Sequence, residues 1–162
     1  YNFLVLQYSI LRTEMGKFGI ITNKSHLIRI ILPNQIKLTS AKLTPPNNYK
    51  PFMENVIEQM NQYFCGDRKY FSIKLKIQLP PFYQKVLEEV NKIPYGETSS
   101  YKTIAKNLQN PNAYRAVASA NSINPIPIII PCHRVIRSDG NLGGFSGTGG
   151  IKLKEQLIKL EK

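Results

Sequence analysis

Cys132, His133 and Arg134 place a thiol, an imidazole and a guanidinium on consecutive residues. Cysteine is the strongest side-chain nucleophile near neutral pH, and neighbouring cations can draw its pKa down toward the thiolate. A buried structural cysteine is the commoner case. Three features favour chemistry here: the two flanking cationic residues, the proline-rich approach to the motif, and the glycines that follow it. Neighbours on an extended chain point to opposite faces, so His133 meets the Cys132 sulfur only if the chain turns at the motif or a water relays the proton. An imidazole base also needs a third group to fix its tautomer. Glu155 and Glu161 near the C-terminus are the candidates.

The elements that position this motif are legible in outline. Phe18–Thr22 and Leu27–Leu32 are β-branched runs separated by four residues, the pattern of a hairpin. Residues 34–48 carry Pro45, Pro46 and several Asn and read as a loop. From Pro51, apolar residues recur at helical spacing as far as Phe64, and Cys65-Gly66 supplies a stop. Tyr70–Leu79 alternates apolar and polar, as an extended strand or a connector along a surface would. Pro80-Pro81 then marks a domain boundary, giving an N-terminal domain 1–80 and a C-terminal domain 81–162.

Beyond it, Phe82, Val86, Leu87 and Val90 share one helical face. Ser100–Leu108 and Asn112–Ser122 are spaced as a helix-turn-helix. The second helix is rich in small residues around Arg115, including Ala113, Ala116 and Ala118. They suit close approach to another surface or dense core packing. Asn124–Pro131 contains three prolines and is predicted to be a stiff, buried, strand-like segment. A terminal helix follows, with Ile151, Leu153, Leu157, Ile158 and Leu160 as its apolar residues. The expected fold class is α/β of the α+β kind: a small domain with an antiparallel sheet and a helix, then a helical, winged-helix-like domain.

Composition narrows the functions. The chain has 162 residues, 42% of them hydrophobic, enough for a packed core. Lys and Arg exceed Asp and Glu by 12. The excess is spread over both halves, 11 against 4 in residues 1–80 and 11 against 6 in residues 81–162, so no basic tail explains it. Nucleic acid or an anionic membrane heads the list of partners. Two cysteines are too few for a disulfide framework or a thiolate zinc site. No run of about 18 apolar residues is present, and Phe3–Leu11 lacks the marks of a signal peptide. A cytosolic or nuclear location is expected, and the opening Tyr1 suggests a short preceding segment.

The motif and its surroundings together resemble a known family. Asn-Pro-Ile-Pro-Ile-Ile-Ile-Pro-Cys-His-Arg-Val (124–135), Pro-Tyr-Gly-Glu-Thr-Ser-Ser-Tyr (94–101) and Gly-Gly-Phe-Ser-Gly (143–147) are similar to the O6-alkylguanine-DNA alkyltransferases, the methylated-DNA–protein-cysteine methyltransferases. The likeness runs from about Pro81 to Glu161. It implies repair of O6-alkylguanine, and of O4-alkylthymine, in duplex DNA by irreversible transfer of the alkyl group to the protein's own cysteine after base flipping. Cys132 would be the acceptor, His133 its base through a water, and Glu161 the carboxylate holding His133. Tyr101 would donate to guanine N3, and Arg115 would fill the space of the flipped nucleotide. Asn124 would be a hinge, while Val135, Ser146, Phe145 and Arg134 would contact the base or line its pocket. Ala113 and Ala116 would let the second helix enter the minor groove. Double-stranded DNA is the implied partner, with no cofactor, no metal, no membrane association and a monomeric protein.

Two positions depart from the family pattern. Phe145 stands where many relatives carry Tyr, and Tyr114 stands beside Arg115 where a small residue is common. Some relatives bind zinc in the N-terminal domain, but here only Cys65 and His26 are on offer, so no metal is expected. Two other readings compete. A damage sensor that binds without reacting would lack the cysteine, and a cysteine hydrolase would need an oxyanion hole and an open solvent path.

Overall fold

A computed structural model describes residues 6–38, 51–145 and 150–162. The chain divides into two units, Tyr1–Ile77 and Gln78–Lys162.

In the first unit, β1 (Gln7–Thr13), β2 (Gly16–Thr22) and β3 (Leu27–Ile31) form an antiparallel sheet in the order β1-β2-β3. The hairpin between β2 and β3 matches expectation; β1 had not been assigned. Phe18, Ile20, Leu27 and Ile31 are wholly buried on this sheet. The expected loop after β3 begins as a 3-10 turn, Pro33–Leu38. Its remainder lies outside the described residues. Helix α1 (Pro51–Phe64) opens on a proline, whose missing N–H costs nothing in a first turn, and buries Met53, Val56, Met60 and Tyr63 along one stripe. Gly66 ends it with φ +81°, its N–H bonded to the Tyr63 carbonyl. The alternating run after it is a connector: Leu27 donates to Lys74 and accepts from Lys76, a single bridge beside β3.

In the second unit, α2 (Pro81–Val90) packs Val86, Leu87 and Val90 inward. A two-residue strand β4 (Ser99–Ser100) leads into α3 (Tyr101–Asn107), whose first turn is capped by the Ser100 hydroxyl accepting from the Thr103 N–H. Helix α4 (Tyr114–Ser122) completes the helix-turn-helix, and Val117, Ala120 and Asn121 face the interior. Strand β5 (Val135–Ile136) pairs in parallel with β4, and α5 (Gly150–Leu160) closes the chain. No helix among the described residues is long and apolar enough to cross a membrane.

Two expectations need correction. Residues 124–131 are buried as foreseen but fold into a tight turn, not a strand. Ile130 N–H reaches the Ile126 carbonyl at 3.0 Å, and Ile128 takes φ +76°. A β-branched residue there is strained, and burial plus the surrounding hydrogen bonds hold it. The apolar stripe of α5 is also displaced. Ile151 is exposed, while Gly150, Leu153, Lys154 and Leu157 are buried, with Glu161 one turn further on.

Candidate active site

Turn 124–131 delivers Cys132 to a 3-10 turn, Cys132–Arg134. The chain therefore bends at the motif, as the facing of thiol and imidazole demands. Asn124 fastens the approach, its Oδ1 accepting from the Ile126 N–H at 3.0 Å and its Nδ2 donating to the Ile130 carbonyl at 2.9 Å. Asn121 of α4 donates to the Cys132 carbonyl at 3.1 Å. The Asn121 amide thus ties the Cys132 segment to α4, while Asn124 braces the turn itself.

His133 is 0% exposed, and its Nε2 lies 2.7 Å from Glu161 Oε2. Burial pushes its pKa down, against the opposing pull of the Glu161 carboxylate. A carboxylate only accepts, so Nε2 carries the hydrogen and Nδ1 presents its lone pair. That Nδ1 is buried and has no hydrogen-bond partner among the described residues, so its lone pair can take a proton from another group. Glu155, the other candidate carboxylate, is exposed.

Arg134 does something other than expected. It is 7% exposed, and three of its five N–H donors are engaged: Nε and Nη2 donate to the two Glu161 oxygens at 2.8 and 2.9 Å, and Nη1 donates to the Ile93 carbonyl at 2.7 Å. It clamps Glu161. The bidentate fork fixes the carboxylate that in turn fixes the imidazole.

The thiol also differs from the first reading. Cys132 is 2% exposed, and burial pushes its pKa up to about 11, with smaller downward pulls from Asn124 and Lys154. At rest it is a neutral thiol beside a neutral imidazole. Ionisation must accompany the reaction.

Lys154 escaped the sequence reading. Its side chain is buried, its Nζ donates to the carbonyls of Leu142 and Gly144, and it stands 5.8 Å from the Tyr101 ring. Burial lowers its pKa to about 8, partly offset by Cys132. The available signal was a lysine in register with Gly150, Leu153 and Leu157 on the terminal helix.

Tyr101 opens α3, and burial raises its pKa, so its hydroxyl stays a donor. Gly143, at φ +74°, passes so close that a Cβ would stand 3.3 Å from that hydroxyl. Val135 is buried and pairs with Ser99 across the two-strand bridge. Phe145 is buried, and a side chain at Gly150 would collide with its carbonyl. Ser146 lies outside the described residues. Beside Tyr101 a solvent-open cavity of about 560 Å³ is lined by Lys102, Tyr114, Arg115, Arg137 and Gly143, among others. Arg115 is exposed there, while Ala113 and Ala116 are half-buried. The arrangement offers a nucleophile with a built-in base, a hydroxyl donor, and a basic mouth wide enough for a planar base.

Comparison with known proteins gives a consistent picture. Residues 81–162 match the model of the 6-O-methylguanine DNA methyltransferase DNA-binding domain, and residues 6–77 match that of its ribonuclease-like domain. A methylated-DNA–protein-cysteine methyltransferase of Methanosarcina mazei is 47% identical over 120 residues, 72% of this chain and 75% of the relative. The constitutive enzyme of that name from Bacillus subtilis is 34% identical over 96% of this chain and 94% of its own. The crystal structure of Mycobacterium tuberculosis O6-methylguanine methyltransferase superposes with a TM-score of 0.86 at 35% identity, covering 97% of this chain and 93% of that one. A structure of M. tuberculosis OGT in complex with DNA also gives 0.86, at 36% identity over 96% and 92% of the two chains.

Proposed function

Since the chain belongs to the 6-O-methylguanine DNA methyltransferase family, we propose that it repairs O6-alkylguanine in duplex DNA by moving the alkyl group onto Cys132. The activity is that of a methylated-DNA–protein-cysteine methyltransferase, and DNA is its partner. The observation that carries the assignment of roles is the buried relay Glu161–His133, whose unpartnered Nδ1 belongs to the residue next to the thiol.

An alkyl group on a stacked base is out of reach, so the nucleotide must leave the duplex, at a cost of a few kcal/mol that a fitted pocket and an inserted side chain offset. Arg115 is the inserted side chain and Lys and Arg contacts to phosphate supply the search affinity. At the buried motif, the Cys132 thiol gives its proton through a water to His133 Nδ1, and Glu161, held by Arg134, stabilises the imidazolium. The sulfur bonds to the alkyl carbon as the carbon–O6 bond breaks. The electron pair passes into the purine, and Tyr101 hydrogen-bonds to N3 to receive the developing charge. Lys154 steadies the sulfur while it is anionic. A thioether results, and no described residue is placed to cleave one, so one molecule repairs one lesion. O4-alkylthymine presents the same carbon–oxygen bond. We take the protein to act as a monomer, the state in which one chain supplies the thiol, its base and the Tyr101 hydroxyl.

Cys132→Ala tests the reading. It should still bind duplex DNA carrying O6-methylguanine, because binding rests on other residues, and it should transfer nothing. Residual transfer by that variant would show that the acceptor lies elsewhere.

A further inference from the structure

Tyr114 is an oddity that the repair reaction leaves unexplained. It is 37% exposed and is the sole aromatic among the exposed large hydrophobic residues described in the second unit. It opens α4, where Ala113 provides no side-chain cap, so the ring stands at the projecting end of the helix. The buried face of α4 starts one turn later, at Val117. Core packing therefore does not account for the ring.

Its surroundings do. Lys102 Nζ lies 5.7 Å from the ring centroid and Arg115 Cζ lies 6.0 Å from it. Both cations are drawn to the electron-rich face of one phenol. Tyr114 and Ala118, one helical turn apart, line the same cavity as Tyr101 and Arg115. Arg137 adds a third cation at this mouth, against one carboxylate, Asp139, 3.8 Å from it. A flat apolar surface framed by cations in an open cleft matches single-stranded or unpaired nucleotides, whose bases stack on aromatic rings while phosphates meet the charges. Alanine at this position would offer neither a stacking surface nor a resting place for Arg115.

The geometry points to Tyr114 as a second duplex-opening residue: its ring stacks on the nucleotide next to the extruded one, and it presents Arg115 for insertion. This rests on the repair reading and deepens it. The ring sets how strongly the protein prefers a lesion inside a duplex over the same group on a free base.

The test compares single-turnover rates of wild type, Tyr114→Ala, Tyr114→Phe and Arg115→Ala with two substrates: a duplex containing O6-methylguanine and free O6-benzylguanine. The duplex-to-free-base rate ratio should fall about tenfold in Tyr114→Ala, the size expected from losing one base–aromatic stack, and in the same direction in Arg115→Ala. Tyr114→Phe should keep the wild-type ratio, because the ring and not the hydroxyl does the stacking. An unchanged or higher ratio in Tyr114→Ala, or an equal fall in Tyr114→Phe, overturns the inference. The ring is exposed, so the variants should melt with the wild type, and a folding defect would slow both substrates without moving the ratio. Should wild type itself transfer no alkyl group to Cys132, the repair reading fails, a result separate from the behaviour of Tyr114.

Discussion

The two cysteines of this chain sit in opposite surroundings. Cys65 follows the last turn of α1 and is exposed; Cys132 is sealed behind a strained turn, with burial holding its thiol up to about 11. Judged by access, Cys65 should be the reactive one. Judged by what stands around the sulfur, it is Cys132, followed in the chain by an imidazole whose carboxylate partner, Glu161, is clamped by Arg134. The contrast teaches that a sulfur meant for one substrate gains from staying protonated and covered until that substrate arrives. A permanent thiolate would be spent on any oxidant or electrophile.

The sharpest way to break the contrast is to remove the carboxylate that organises the buried site. Glu161→Gln keeps the shape, but it leaves Arg134 charged in the interior and removes the negative charge that stabilises a His133 imidazolium. Transfer to Cys132 should fall by about 10²- to 10⁴-fold, the contribution of a positioned general base. The fold should lose ~3–5 kcal/mol, the penalty for breaking one side of a buried ion pair. Single-turnover rates and denaturant melts check both, and a wild-type rate in Glu161→Gln would detach His133 from the reaction.

A smaller effect belongs to Lys154. The groups facing its ammonium are Cys132 and the Tyr101 ring, with His133 also within its field. With the amine at about 8, transfer should hold level through neutrality and slow above about pH 8, where the cation that steadies the sulfur disappears. Lys154→Met should be slower at pH 7 by about tenfold, one modest charge interaction, and should lack that decline. Stability carries the opposite mark. Between about pH 8 and the ordinary lysine value of 10.5, the unfolded chain keeps a proton that the folded chain has released, so wild-type stability rises across that window relative to Lys154→Met. Melting temperatures of the pair at pH 7, 9 and 10.5 read this directly.

Much of this contrast was written in local sequence. β-branched runs, prolines, glycines and helical spacing gave the hairpin, α1, α2 and the helix-turn-helix; the 124–135 motif pointed to Cys132 and His133, and the family resemblance singled out Glu161 over Glu155. Three features were hidden because they depend on contacts distant in sequence. Arg134 reads as a cation beside a nucleophile until Ile93 and Glu161 are seen to take three of its donors. The direction of the thiol's pKa follows from burial, which adjacency to His and Arg does not reveal. Lys154 looked like one more surface lysine because Ile151 suggested a stripe one residue out of register. In turn 124–131, proline chemistry excluded a helix but could not separate an extended segment from a turn, since proline at the second position of a turn is equally content.

The most direct test treats the protein with a duplex carrying one O6-methylguanine, digests it, and weighs the peptides of both cysteines. Transfer as described here predicts one added methyl on the Cys132 peptide, none on the Cys65 peptide, and an end to the reaction at one lesion per molecule, although iodoacetamide applied to the untreated protein labels Cys65 first. A methyl group on Cys65, or lesions consumed with both peptides unchanged, would contradict it.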